Sequence, residues 1–175
     1  SSAASDVYKR QQVAGVIAVF GEEGYYKDKI AAALPRAVFG DAAPEDREIT
    51  VFERDTDIKE ISAAVNTYPF FSGRSLVIIK DEKLWGGKDG GEKRKQQQEE
   101  LAELLADVPE HCQVLLLGEK IDKRGKLYKS LLKTAAMVEC KSLKSYQLKP
   151  WLDEQAALRG CRFDYEASQT IMEYL

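Results

Sequence analysis

The sequence predicts an α/β fold, a doubly wound and mainly parallel five-stranded sheet followed by part of a small helical domain. Two observations carry this prediction. Short, nearly continuous apolar runs, residues 13–20 and 112–117 among them, alternate with segments whose apolar residues recur at helical spacing. Runs without polar alternation are what strands covered on both faces require. After Lys141 the period changes, and two helical patterns follow with no strand between them.

Residues 13–20 form the first predicted strand, ending at Gly21. Tyr26, Ile30, Ala33 and Leu34 then make an amphipathic stripe, expected to stop at Pro35. Glu48 to Phe52 is the second strand. Asp57, with Glu60 three residues on, supplies an N-cap and a capping-box-like pair for a helix carrying Ile58, Ile61 and Val65. Ser75 to Ile79 is the third strand. Gly86, Gly87, Gly90 and Gly91 among charges predict a mobile loop over 85–95 that delays the next helix, which Leu101, Leu104, Leu105 and Val108 then mark. A strand at 112–117, a short helix at 127–133 and a last strand at 136–140 complete the sheet. In the tail, Leu148, Trp151, Leu152 and Gln155 mark one helix and Asp164 caps another, so 13–142 reads as one domain and 143–175 as the incomplete start of a second. Residues 1–12 lack periodicity and an apolar signal core, and read as a disordered or foreign extension.

Composition narrows the function classes. With 44% hydrophobic and 31% charged residues the chain suits a soluble globular protein, and no apolar run approaches the ~20 residues of a membrane span. A net charge of −3 gives no overall drive toward nucleic acid, so any DNA contact needs a local basic patch. Cys112, Cys140 and Cys161 are odd in number and widely spaced, which suggests neither a disulfide framework nor a zinc site. They suit a reducing cytoplasm. His111, the single histidine, argues against a His-centred metal site or a Ser-His-Asp arrangement.

The loop after the first strand, residues 21–28, is where a phosphate cradle belongs in such a sheet. A Walker pattern wants glycine before its lysine and serine or threonine after it; Tyr26 and Asp28 stand there instead, around Lys27. Glu22, Glu23 and Asp28 would repel a triphosphate. The third strand continues with Lys80 before Asp81 and Glu82, which places its carboxylates one step late for a magnesium-holding strand end and reads as a solvated charge cluster. Lys120, Lys123, Arg124, Lys126, Lys129 and Lys133 form a basic segment suited to DNA phosphates or to a solvated face. Trp151 fits a small helical core, whereas Trp85, beside the glycine-rich loop, is open to an exposed placement.

A Tyr-Pro-Phe-Phe-Ser run over 68–72 places two adjacent large aromatics where loop residues belong. A turn begun by Pro69 can project both Phe70 and Phe71 outward as anchors for a protein partner. The alternative is that both rings cap the core from a tight turn.

Four segments carry a family likeness: 16–23 (Val-Ile-Ala-Val-Phe-Gly-Glu-Glu), 69–78 (Pro-Phe-Phe-Ser-Gly-Arg-Ser-Leu-Val-Ile), 121–129 (Ile-Asp-Lys-Arg-Gly-Lys-Leu-Tyr-Lys), and Leu148 with Trp151-Leu152. In this order and spacing the chain resembles the delta subunit of bacterial DNA polymerase III, the clamp-loader component that opens the sliding clamp. The resemblance implies an AAA+/RecA-like fold with a degenerate nucleotide loop, and a non-catalytic subunit of a complex that is a DNA-directed DNA polymerase, a nucleotidyltransferase. It implies that Phe70 and Phe71, with Pro69, bind the clamp (the beta subunit). The family often has leucine where Phe70 stands. It further implies gamma/tau and delta prime subunits as partners of the full-length protein, primed DNA reached through the complex, no cofactor, no metal, and a cytoplasmic location. Lys123, Arg124 and Lys126 match the family pattern and are candidate DNA contacts. The family's third domain, a helical collar, has no counterpart here, so a fragment is expected. Two other readings stand beside this one: a P-loop-like nucleotide-dependent enzyme using Lys27 and Asp81, and a DNA-binding accessory protein using the segment around Lys126.

Overall fold

A computed structural model of the chain describes residues 15–22, 24–85 and 91–139, together with 150, 153, 154 and 157. Its elements are β1 (Val16–Phe20), α1 (Gly24–Phe39), β2 (Glu48–Phe52), α2 (Ile58–Asn66), β3 (Ser75–Ile79), α3 (Gly91–Ala106), β4 (Cys112–Gly118), α4 (Lys126–Thr134) and β5 (Ala136–Glu139). The five strands form one sheet in the order β2-β3-β4-β1-β5, and every neighbouring pair is parallel.

That order dictates the layers. The connection from β1 to β2 runs one way across the sheet and the three later connections run the other way, so right-handed crossovers place α1 alone on one face and α2, α3 and α4 on the opposite face. The core divides accordingly. Ile30, Ala33, Leu34, Val38 and Phe39 of α1 pack on Ile17, Val19, Leu76, Ile78, Leu115 and Leu117. The alternate strand residues Val16, Ala18, Phe20, Val77, Ile79, Val114 and Leu116 face Ile58, Ile61 and Val65 of α2, Leu101 and Leu105 of α3, and Leu127 and Leu131 of α4. Strands β1, β3 and β4 are buried along their whole length, which explains their unbroken apolar sequences.

Two expectations are corrected, and one placement left open by the sequence is decided. Helix α1 does not stop at Pro35 but continues through it to Phe39. A proline inside a helix removes one backbone bond and costs about 3 kcal/mol, but Val38 and Phe39 extend the stripe and are buried against the sheet, and each such side chain stabilises by roughly 1.5–3 kcal/mol. Helix α3 begins at Gly91 rather than beyond 95, so Lys93, Arg94 and Lys95 are helical. Its first ten residues carry no apolar stripe, and the side-chain signal starts only at the buried Leu101. Trp85 is 1% exposed, packed edge-on against Phe20 with ring centroids 5.8 Å apart. The Asp57 cap forms as expected and accepts the Lys59 N–H at 2.9 Å. Cys140, Cys161 and Trp151 lie outside the described residues; of the tail, residues 150, 153, 154 and 157 are described, and they are helical.

Candidate functional site

Parallel strands give the sheet two distinct edges, and the sequence candidates divide between them. The carboxyl edge is where open α/β sheets hold ligands, in the crevice where neighbouring connections diverge. Here that crevice lies between β1, which leads to α1, and β4, which leads to α4. The Gly21 N–H donates to the Gly118 carbonyl at 3.1 Å and extends the β1–β4 ladder across it. On the α2–α4 face the Phe20 and Trp85 rings fill the space beside Gly118 so closely that a Cβ on Gly118 would meet the Trp85 indole nitrogen and lie 2.7 and 2.9 Å from Phe20 ring carbons.

The acidic residues behind β3 are differently placed than the sequence suggested. Asp81 is not solvated: it is 3% exposed, its Oδ2 accepts the Thr56 N–H at 3.0 Å and its Oδ1 the Lys83 N–H at 3.1 Å. The carboxylate ties the loop after β2 to the turn after β3 and has both oxygens committed to backbone donors. Glu82 accepts the Glu119 N–H at 2.6 Å, and partial burial pushes its carboxyl above its ordinary pKa. Glu22 pairs with Lys120 at 3.6 Å. Lys27 is half-buried in the first turn of α1. Glu23 and the Tyr26 side chain lie outside the described residues. Carboxylates therefore crowd this edge, which is unfavourable for a triphosphate.

The basic segment begins on the same side of the molecule, and four of its six cations, Lys120, Lys123, Arg124 and Lys126, are paired with carboxylates. A depression of about 480 Å³ opens there between Phe20, Ile121, Tyr128, Met137, Lys120 and Lys123. Lys123 reaches Glu139 at 3.2 Å, Arg124 reaches Asp122 at 3.3 Å, and Lys126 reaches Glu99 of α3 at 3.0 Å. The Arg124 backbone N–H and guanidinium hold the Asp122 carboxyl below its usual range, and Lys126 does the same for Glu99. All three cations are exposed. Any phosphate meeting them competes with a carboxylate already in place.

The amino edge carries the aromatic run. Helix α2 closes when the Thr67 N–H and hydroxyl both donate to the Ala63 carbonyl, at 3.0 and 2.6 Å, and Pro69 two residues later prevents its continuation. Pro69 is buried, whereas Phe70 is 88% and Phe71 72% exposed. Their ring centroids stand 6.5 Å apart with planes inclined at 47°. The turn is closed on the far side by Gly73, whose φ of +69° suits glycine, and by Ser72, whose Oγ donates to the Arg74 carbonyl at 2.9 Å and accepts the Arg74 N–H at 3.4 Å. The Ser75 N–H then donates to the His111 carbonyl at 2.8 Å as β3 begins. The exposure of both rings excludes the core-capping alternative.

Two residues of this edge were missed in the sequence. Tyr68 is 70% exposed, with its ring centroid 5.2 Å from that of His111, and widens the aromatic surface. Its place in the same run was the available signal. Glu48 opens β2 and its Oε2 accepts the Phe71 N–H at 3.2 Å; nothing in the sequence brings together residues 23 apart. Among the described residues no group of three His, Cys, Asp or Glu side chains is placed to hold a metal ion, and no described helix is long and apolar enough to cross a membrane.

Known proteins resemble this chain in sequence and in fold. Residues 20–141 match the family model for DNA polymerase III, delta subunit. The DNA polymerase III subunit delta of Bacillus subtilis is 30% identical over 138 residues, covering 77% of this chain and 40% of that protein. The chain thus spans about 40% of the length of that curated relative. In fold it is similar to the Bacillus subtilis DNA clamp loader delta protein (TM-score 0.63, 24% identity, 97% of this chain and 55% of the other). It is also similar in fold to a DNA polymerase III gamma subunit-related protein of Thermotoga maritima (TM-score 0.51, 16% identity, 98% and 56%). With the family matched over residues 20–141, the chain belongs to the delta subunits of DNA polymerase III.

Proposed function

We propose that this chain is the clamp-binding part of a non-catalytic loader subunit, and that Phe70 and Phe71 enter an apolar pocket on the sliding clamp (the beta subunit) and favour its open form. The observation that carries the reading is the pair of adjacent, largely exposed rings on a turn that follows a buried proline. Burying two phenylalanine rings is worth about 3–6 kcal/mol, enough to compete with a closed ring interface when the open form is bound better. Phe70 is larger than the leucine common at its place, so a somewhat wider pocket is expected on the cognate clamp. In this reading 13–142 is the clamp-binding domain and 143–175 begins a helical lid-like domain. The full-length protein works in the cytoplasm with gamma/tau and delta prime subunits, and meets primed DNA through that complex.

The paired cations around Lys126 and the crowded carboxylates at the carboxyl edge give the DNA-binding and nucleotide-enzyme readings less support. The test is ring release. Clamp pre-loaded on closed circular DNA should dissociate faster when this chain is added without ATP, and Phe70→Ala/Phe71→Ala should abolish the acceleration. Unchanged clamp lifetime with saturating wild-type chain overturns the proposal.

A further inference from the structure

The amino-edge geometry points to a further role for Glu48. We infer that Glu48 is a positioning residue, a carboxylate latch that presets the Phe70–Phe71 turn before a partner arrives; this rests on the proposed clamp-binding reading of that turn.

The placement follows from the sheet. Glu48 is the first residue of β2 and lies opposite Ser75, the first residue of β3, so it sits at the amino edge. Strand alternation puts Glu48 on the same face as Phe52, which packs with the α2-side core. The chain leaving α2 enters the turn on that face, and the Phe71 N–H donates to Glu48 Oε2 at 3.2 Å. The other side-chain bonds of the turn, between Ser72 and Arg74, are local and hold its far side. The Glu48 bond instead joins the backbone of an anchor residue to a different strand, 23 residues away in sequence. A loop already held in its bound conformation loses less entropy on association, so such a latch strengthens binding without itself touching the partner.

The magnitude is bounded by the chemistry. A hydrogen bond to an ionised acceptor is stronger than a neutral one, but solvent access reduces its net value. Glu48→Ala should weaken clamp binding about threefold to tenfold, with an unchanged thermal midpoint. Glu48→Gln keeps an acceptor oxygen of the same reach and should restore most of the affinity. Hydrogen exchange supplies a readout independent of the clamp: the Phe71 amide should exchange several-fold faster in Glu48→Ala than in wild type, and near the wild-type rate in Glu48→Gln.

The two failures are distinguishable. If wild type does not bind the sliding clamp of its own organism, the clamp reading fails while the exchange experiment still tests the latch. If wild type binds and Glu48→Ala binds equally well, the positioning role is wrong. Equal Phe71 exchange in wild type and Glu48→Ala shows that no latch exists.

Discussion

Replacing Gly118 by alanine tests how the carboxyl edge is filled. The new Cβ would meet the Trp85 indole nitrogen and stand 2.7 and 2.9 Å from two Phe20 ring carbons. Neither ring is the free end of a flexible side chain: Trp85 and Phe20 are buried and packed edge to face. Gly118 itself lies in the ladder, opposite Phe20, with its carbonyl accepting from Gly21. Neither side can yield without opening the core. Overpacking of this kind costs about 1–3 kcal/mol, and two rings held at once favour the upper half of that range. For a domain of this size a loss of about 2–3 kcal/mol lowers Tm by roughly 6–10 °C. The assay is thermal unfolding followed by circular dichroism, with urea titration to confirm an unchanged slope. Trp85→Leu vacates the contested volume, so the double variant Gly118→Ala/Trp85→Leu should lose less than the sum of its single variants. A Gly118→Ala protein melting within about 2 °C of wild type would refute the account of this edge.

Asp81→Ala removes a carboxylate that satisfies the Thr56 and Lys83 N–H groups, and should cost about 2–3 kcal/mol in urea unfolding; Asp81→Asn should lie between it and wild type. Glu82 bears on pH. Its pKa is raised in the fold, so the folded state favours the protonated form, and whatever stability that contributes is present at low pH and fades as pH rises through the raised value. Glu82→Gln should therefore melt above wild type at pH 7, and the difference should shrink as pH falls into the ordinary carboxylate range; a constant difference would contradict the burial effect. Lys27→Ala should leave ATP titrations of this chain unchanged, with no saturable binding before or after substitution.

Strands β1, β3 and β4 were legible because burial on both faces leaves an unbroken apolar run between turn residues. Glu48–Phe52 and Ser75–Ile79 were predicted to the residue. Boundaries were lost where tertiary contacts override local signals. Pro35 breaks the local rule, but the core contacts of Val38 and Phe39 carry α1 past it. The early turns of α3 are polar and exposed or half-buried, so no periodicity marks them. Adjacency and Pro69 offered outward projection of Phe70 and Phe71 as one of two readings beside core capping, because neighbouring residues on a strand cannot share a face, and only their exposure in the fold decides between them. The burial of Trp85 and Asp81 was not readable, since each depends on partners brought in by the fold: Phe20 and Gly118 for one, Thr56 for the other. Glu48 is the same case at the amino edge.

The most direct measurement is the affinity of this chain for the sliding clamp of its own organism, wild type beside Phe70→Ala/Phe71→Ala. Both rings are mostly solvent-exposed, so the double variant should melt within about 1 °C of wild type. Losing about 3–6 kcal/mol of ring burial should weaken binding by about two to four decades. A folded double variant that binds the clamp as tightly as wild type would contradict the assignment of these rings as the anchor.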